Sequence, residues 1–165
     1  MMVRPGMVLV TTAAVGGLVA GGVALARTTG SMAPALDVPS SSTPDSTAVA
    51  AARTEACAAF GAASRAATQA RKPFLAATAG QWAWDDDGVV AALASAQSGM
   101  LTQVEWLRQH LPPATPAAVA DPVREWIAAS LDMIGADGQR RPAADANAAA
   151  RRSNAARDKI EAACA

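Results

Sequence analysis

The chain has 165 residues, 14 basic and 14 acidic side chains, one histidine, two cysteines and no tyrosine. Zero formal net charge gives no bulk attraction to nucleic acid, and the length admits one domain with one modest core. There is no Gly-x-Ser-x-Gly elbow, His-Glu-x-x-His pair or phosphate-binding glycine loop, and no nucleophile with a histidine close in sequence. No enzyme, metal centre or cofactor is therefore implied.

The first element is Met7 to Ala26, twenty residues without a charge between Arg4 and Arg27. At about 1.5 Å per residue it reaches about 30 Å, the thickness of a bilayer's hydrocarbon core. Residues 1–27 are thus a signal anchor or a signal peptide. Ala24-Leu25-Ala26 fits signal-peptidase cleavage before Arg27, whereas the length of the run favours retention as a transmembrane helix. Four glycines and two threonines make the run only moderately hydrophobic. Residues 28–46 follow as a linker rich in Pro, Ser and Thr, a composition that buries no core and is expected to be disordered.

Residues 47–165 are expected to form an all-α domain. The first predicted helix begins near Ser46 and runs to about Ala70, with Val49, Ala56, Phe60, Ala63 and Ala67 on one face. Pro73 kinks or ends it, and Gly80 stops any continuation through Phe74–Ala79. Trp82-Ala83-Trp84-Asp85-Asp86-Asp87-Gly88 then gathers unusual residues. The spacing is wrong for an EF-hand. Asp85 or Asp86 instead caps the next helix, and the tryptophans plug the end of the bundle.

The second predicted helix, about Asp86 to Leu111, carries Val90, Leu93, Gln97, Met100, Val104, Leu107 and Leu111 at alternating steps of three and four. That is a buried seam between helices. Pro112-Pro113 ends it, just beyond His110. The third helix starts at Thr115-Pro116 or, on the stronger signal of an N-cap followed by proline, at Asp121-Pro122. Its apolar face is Val123, Trp126, Ile127, Leu131 and Ile134. The fourth runs from about Pro142 to Ala163 with a face of alanines, Ile160 and Cys164. Four helices with short joins predict an up-down bundle.

The cysteines test that arrangement. In an up-down bundle the first and fourth helices are antiparallel, so Cys57 and Cys164 are expected to form a disulfide. A widely separated pair behind an export segment places the domain outside the cytoplasm. The expected location is the cell membrane, single-pass, or the exterior if cleavage follows Ala26. The first and fourth helices are net basic and the second and third net acidic. Complementary charge of this kind serves helix packing, or offers a basic face to an anionic envelope component.

The function expected from these features is an exported or membrane-tethered interaction or structural module of the cell envelope. Its partners would be the membrane, through residues 7–26 if uncleaved, and an envelope protein or anionic component. The second reading is a secreted protein binding a small ligand, haem or lipid, near Phe74, Trp82, Trp84 and His110. The layout of export signal, Cys57, helical domain and terminal Cys164 resembles small secreted haemophore-type proteins of mycobacteria. That resemblance covers layout and alanine-rich character. No haem-binding residue is matched, so none is carried over.

Overall fold

Helix boundaries follow from capping and from where apolar side chains are buried. The computed structural model describes residues 45–165; the run Met7–Ala26 and nearly all of the 28–46 linker lie outside them. The described residues form four α-helices and no strand. None of these helices is long and apolar enough to cross a membrane.

α1 spans Ser46–Ala77, with Asp45 at the N-cap accepting a bond from the Thr47 N–H. It continues past Pro73, which is exposed, because Phe74 is buried beyond it. Burying one phenylalanine stabilises by about 2–3 kcal/mol, enough to offset most of the cost of a proline within the helix. α2 spans Asp87–Gln109 with Asp86 at the N-cap position. The Asp86 carboxylate turns back to accept from the Ala83 N–H at 2.8 Å and makes no cap bond to the helix. It ties the Trp82–Trp84 loop to the helix start.

α3 spans Ala117–Gly138 and begins at the earlier of the two proline signals. Pro122 lies inside the helix, contrary to the stronger sequence signal. The extra turn buries Val119 and Ala120, and the Thr115 N–H and hydroxyl both bond the Pro112 carbonyl to shape the turn before it. α4 spans Ala143–Cys164.

Consecutive helices pair as two close hairpins, α1 with α2 and α3 with α4. Gly99 marks the closeness of the first: a Cβ there would stand 2.6 Å from the Cβ of Ala70. The main core joins both hairpins and holds Phe60, Met100, Val104, Leu107, Val123, Trp126 and Ile160. Phe60 meets Trp126 edge-on, with centroids 5.5 Å apart. In α2 the buried residues are Val89, Ala96, Met100, Val104 and Leu107, while Val90 is exposed. The strict heptad seam therefore slips at the start of the helix. There a period of 3.6, not 3.5, turns Val89 towards Phe74.

The start of α1 meets the end of α4, so the two run antiparallel. Cys57 and Cys164 are disulfide-bonded with Cα atoms 5.9 Å apart. Beside them the Arg53 side chain donates from Nε and Nη2 to the Ala163 carbonyl, at 3.0 and 2.6 Å. That satisfies one of the carbonyls left over at the end of α4.

Candidate functional site

Three of the four aromatic or imidazole residues singled out from sequence come together, and one does not. Trp84 stacks on Phe74, with centroids 6.5 Å apart, and Trp82 meets Trp84 edge-on at 4.6 Å. With Val89 and Ala96 they close one end of the bundle, beside a cavity of about 530 Å³ that Leu75 and Asp137 also line. His110 is the C-cap of α2, whose 23 residues set it about 35 Å from that end. Its ring is exposed, stacks on Trp106 at 4.2 Å, and places Nδ1 2.7 Å from the Trp106 carbonyl oxygen. A pocket shared by His110 with Trp82 and Trp84 is thus ruled out by the length of α2. Asp85, Asp86 and Asp87 do not converge: among the described residues no three His, Cys, Asp or Glu side chains gather as a metal site requires.

A second region has stronger chemistry. Between α1 and α4 runs a groove floored by α3, with a cavity of about 280 Å³. Each helix contributes residues at helical spacing: Ser64, Thr68 and Arg71 from α1, Trp126, Ser130 and Met133 from α3, Ser153 and Arg157 from α4. From α4 the side facing this space is polar but for Ala150, with Asn147, Ser153, Asn154 and Arg157 along it. The Ser64 and Thr68 hydroxyls are satisfied by carbonyls of their own helix, Gly61 and Ser64. Deeper donors are not. Arg71 Nε and Nη1, Trp126 Nε1, Ser130 Oγ and Arg157 Nε are buried and have no hydrogen-bond partner within the protein. All belong to residues lining this one cavity. A buried polar group left unpaired costs about 1–3 kcal/mol, so such groups are ordinarily scarce and scattered.

The charge of the groove is set by two arginines. Arg71 Nη2 donates to Asp137 Oδ2 at 2.8 Å, and both side chains are about seven-eighths buried. Burial pushes the Asp137 carboxyl above its ordinary range, and Arg71 pulls it part of the way back. Burial also lowers the Arg71 guanidinium from its very high ordinary value, with Asp137 opposing. Arg71 is thereby offset, whereas Arg157 has no carboxylate partner among the described residues. The cavity carries one uncompensated positive charge, on Arg157, and its unpaired buried polar atoms are donors. Its apolar wall comes from Leu75, Met100 and Met133. Such a site suits an acceptor-rich anion with an apolar body.

Sequence reasoning passed over this site. From sequence Trp126 counts only as core, and Ser64, next to Ala63 on the first helix, carries no signal of its own. The available signal was polar residues at core positions, namely Ser64, Ser130 and Ser153, which are the buried polar residues of the bundle. One serine in an alanine-rich face is unremarkable; three on facing helices mark a polar seam.

Fold and groove together define a small, all-helical, disulfide-bridged bundle domain. The chain belongs to the family described as the Rv2240c four-helix bundle domain, whose family model matches residues 39–165. No curated protein and no solved structure matches the chain.

Proposed function

We propose that this chain is an exported, extracytoplasmic module of the cell envelope that acts by binding and not by catalysis. It is tethered through Met7–Ala26, or released by cleavage after Ala26. One observation carries the reading: the Cys57–Cys164 bridge covalently closes the first helix onto the last. Such bridges persist in oxidising compartments and are rare in the cytoplasm. The apolar run and the Pro/Ser/Thr linker supply the means of delivery and spacing. The exposed Leu75, beside the half-buried Trp82 and Trp84, offers an apolar edge for a protein partner.

The test is topological. The chain is recovered from its native host under alkylating, non-reducing conditions. Its thiol state and amino-terminal sequence are then determined, alongside a carboxy-terminal reporter active only outside the cytoplasm. Blocked thiols and an active reporter are expected, with the chain starting either at its first residues or at Arg27. Two alkylatable thiols and a silent reporter would sink the proposal.

A further inference from the structure

We propose that the groove between α1 and α4 is a binding site for a small organic monocarboxylate with an apolar body. The inference goes beyond the envelope role and does not depend on it. Three observations converge. First, the buried atoms without a partner are N–H donors of Arg71, Trp126 and Arg157 together with the Ser130 hydroxyl, and all belong to residues of one cavity. Trp126 is 2% exposed and Ser130 is fully buried, so neither reaches bulk solvent. Second, Asp137 offsets Arg71 while Arg157 has no carboxylate partner among the described residues, which selects a single negative charge. Third, beside the Asn147 and Asn154 amides the lining is more apolar than polar, with Ala67, Leu75, Met100, Met133 and Ala150 among it, which suits a hydrocarbon body and not a fully hydrated ion.

A carboxylate matches this donor set. It accepts at up to about four lone-pair positions and meets guanidinium N–H groups with charge-assisted bonds. Trp126 and Ser130 are four residues apart on α3, so their donors stand one turn apart on one face. They would hold the carboxylate from beneath while Arg157 supplies the charge. The body then lies along Met133 towards Leu75. Leu75 also lines the cavity beside Trp82 and Trp84, so a longer chain has a path to that end.

Octanoate is a suitable probe, with octanamide as its uncharged counterpart and inorganic phosphate as a compact anion. Calorimetry on the full-length chain in zwitterionic nanodiscs, blanked against empty discs, is expected to show saturable octanoate binding at one site. Octanamide should bind at least tenfold more weakly, and phosphate should not compete. One tryptophan indole N–H resonance should shift on octanoate addition. Arg157→Gln should weaken octanoate at least tenfold. Ser130→Ala should weaken it several-fold with a melting temperature that holds or rises, which separates lost binding from lost folding. Arg151→Gln, on the exposed face of α4, should leave binding unchanged. No saturable binding would leave the donors to water alone and overturn the proposal. So would equal affinity for octanamide, an unaffected Arg157→Gln, or phosphate displacing octanoate.

Discussion

α4 has two neighbours, and its contacts with them are of different kinds. Towards α3 it packs closely: Ala149 and Ala156 are buried at 1% exposure each, and Arg152 and Lys159 pair with Asp132 and Glu125 across the outside of the seam. The space of about 540 Å³ there is a mainly polar trough lined by Asp132, Gln139, Arg141, Asp145 and Arg152. Towards α1 it is open along its middle and tied at one end. The disulfide and the Arg53 bonds to Ala163 hold one end. Towards the other, α1 is braced to α3 by the Arg71–Asp137 pair. An alanine helix thus does two things at once. Ala149 and Ala156 let its backbone approach α3, while Asn147, Ala150, Ser153, Asn154 and Arg157 border the cavity where α1 stays away. The closed seam is a structural device, and the open one is a place for a ligand.

The largest test of this contrast is to cut the tie. Replacing both Cys57 and Cys164 by serine releases a loop of 107 residues. In the chain-entropy model that costs about 4–5 kcal/mol. Chemical denaturation should show the loss, and hydrogen exchange should show it in every amide that opens only by global unfolding, with extra local opening where α1 meets the end of α4. No extra opening there would mean that the two seams are one cooperative unit.

Next is the brace at the other end. Asp137→Ala leaves the Arg71 guanidinium buried without its acceptor and should cost about 3 kcal/mol. Replacing both residues with apolar ones should recover most of that, because the pair's mutual attraction is set against its own desolvation. The pH dependence sharpens the point. The Asp137 carboxyl titrates above its ordinary value when folded, chiefly because it is buried. It therefore binds its proton more readily folded than unfolded. Its contribution to stability is present below the unfolded value and is lost as pH rises through the folded one. The deficit of Asp137→Ala against the parent should accordingly widen from about pH 7 to about pH 4, below which the unfolded carboxyl is itself protonated. A deficit that shrinks on acidification would mean that Arg71 outweighs burial.

Ser130→Ala is expected to move stability the other way. The hydroxyl is fully buried and has no partner, so its removal should stabilise the bundle by about 1 kcal/mol in thermal or urea unfolding. A loss of similar size would show that the hydroxyl is satisfied in solution, and the groove would then be an ordinary hydrated seam.

The sequence made the closed seam readable and hid the open one. Helix number, the faces of α1 and α3, and the pairing of Cys57 with Cys164 follow from apolar spacing and antiparallel order. At two boundaries, where the sequence leaves two outcomes open, the stronger local signal gives way for the same reason. At Pro73 and Pro122 the local signal says stop, and burial of Phe74, and of Val119 and Ala120, keeps the helix going. His110, Trp82 and Trp84 are all unusual residues, yet the 23-residue length of α2 parts the histidine from those two tryptophans. The groove was unreadable on different grounds. A tryptophan on an apolar face is expected in any core, and nothing in its spacing tells whether its N–H finds an acceptor. Pairing between donors and acceptors is a property of three helices at once, and periodicity describes one helix at a time.

The smallest expected effect bears on what holds the closed seam. Lys159 reaches Glu125 at 2.6 Å, but both side chains are more than half exposed. Water and salt screen such a pair, and ordering two long side chains offsets much of the attraction. Lys159→Ala should therefore cost about 0.3 kcal/mol, and a double-mutant cycle with Glu125→Ala should give a coupling that vanishes at about 1 M salt, where screening acts over about 3 Å. The complementary charges of α3 and α4 would then favour the correct neighbour without supplying much of the stability. That role belongs to the buried alanines, Trp126 and Ile160, whose contacts salt leaves in place. A coupling above about 1 kcal/mol that survives salt would reverse the assignment, making electrostatics the feature that distinguishes the seam α4 closes from the one it leaves open.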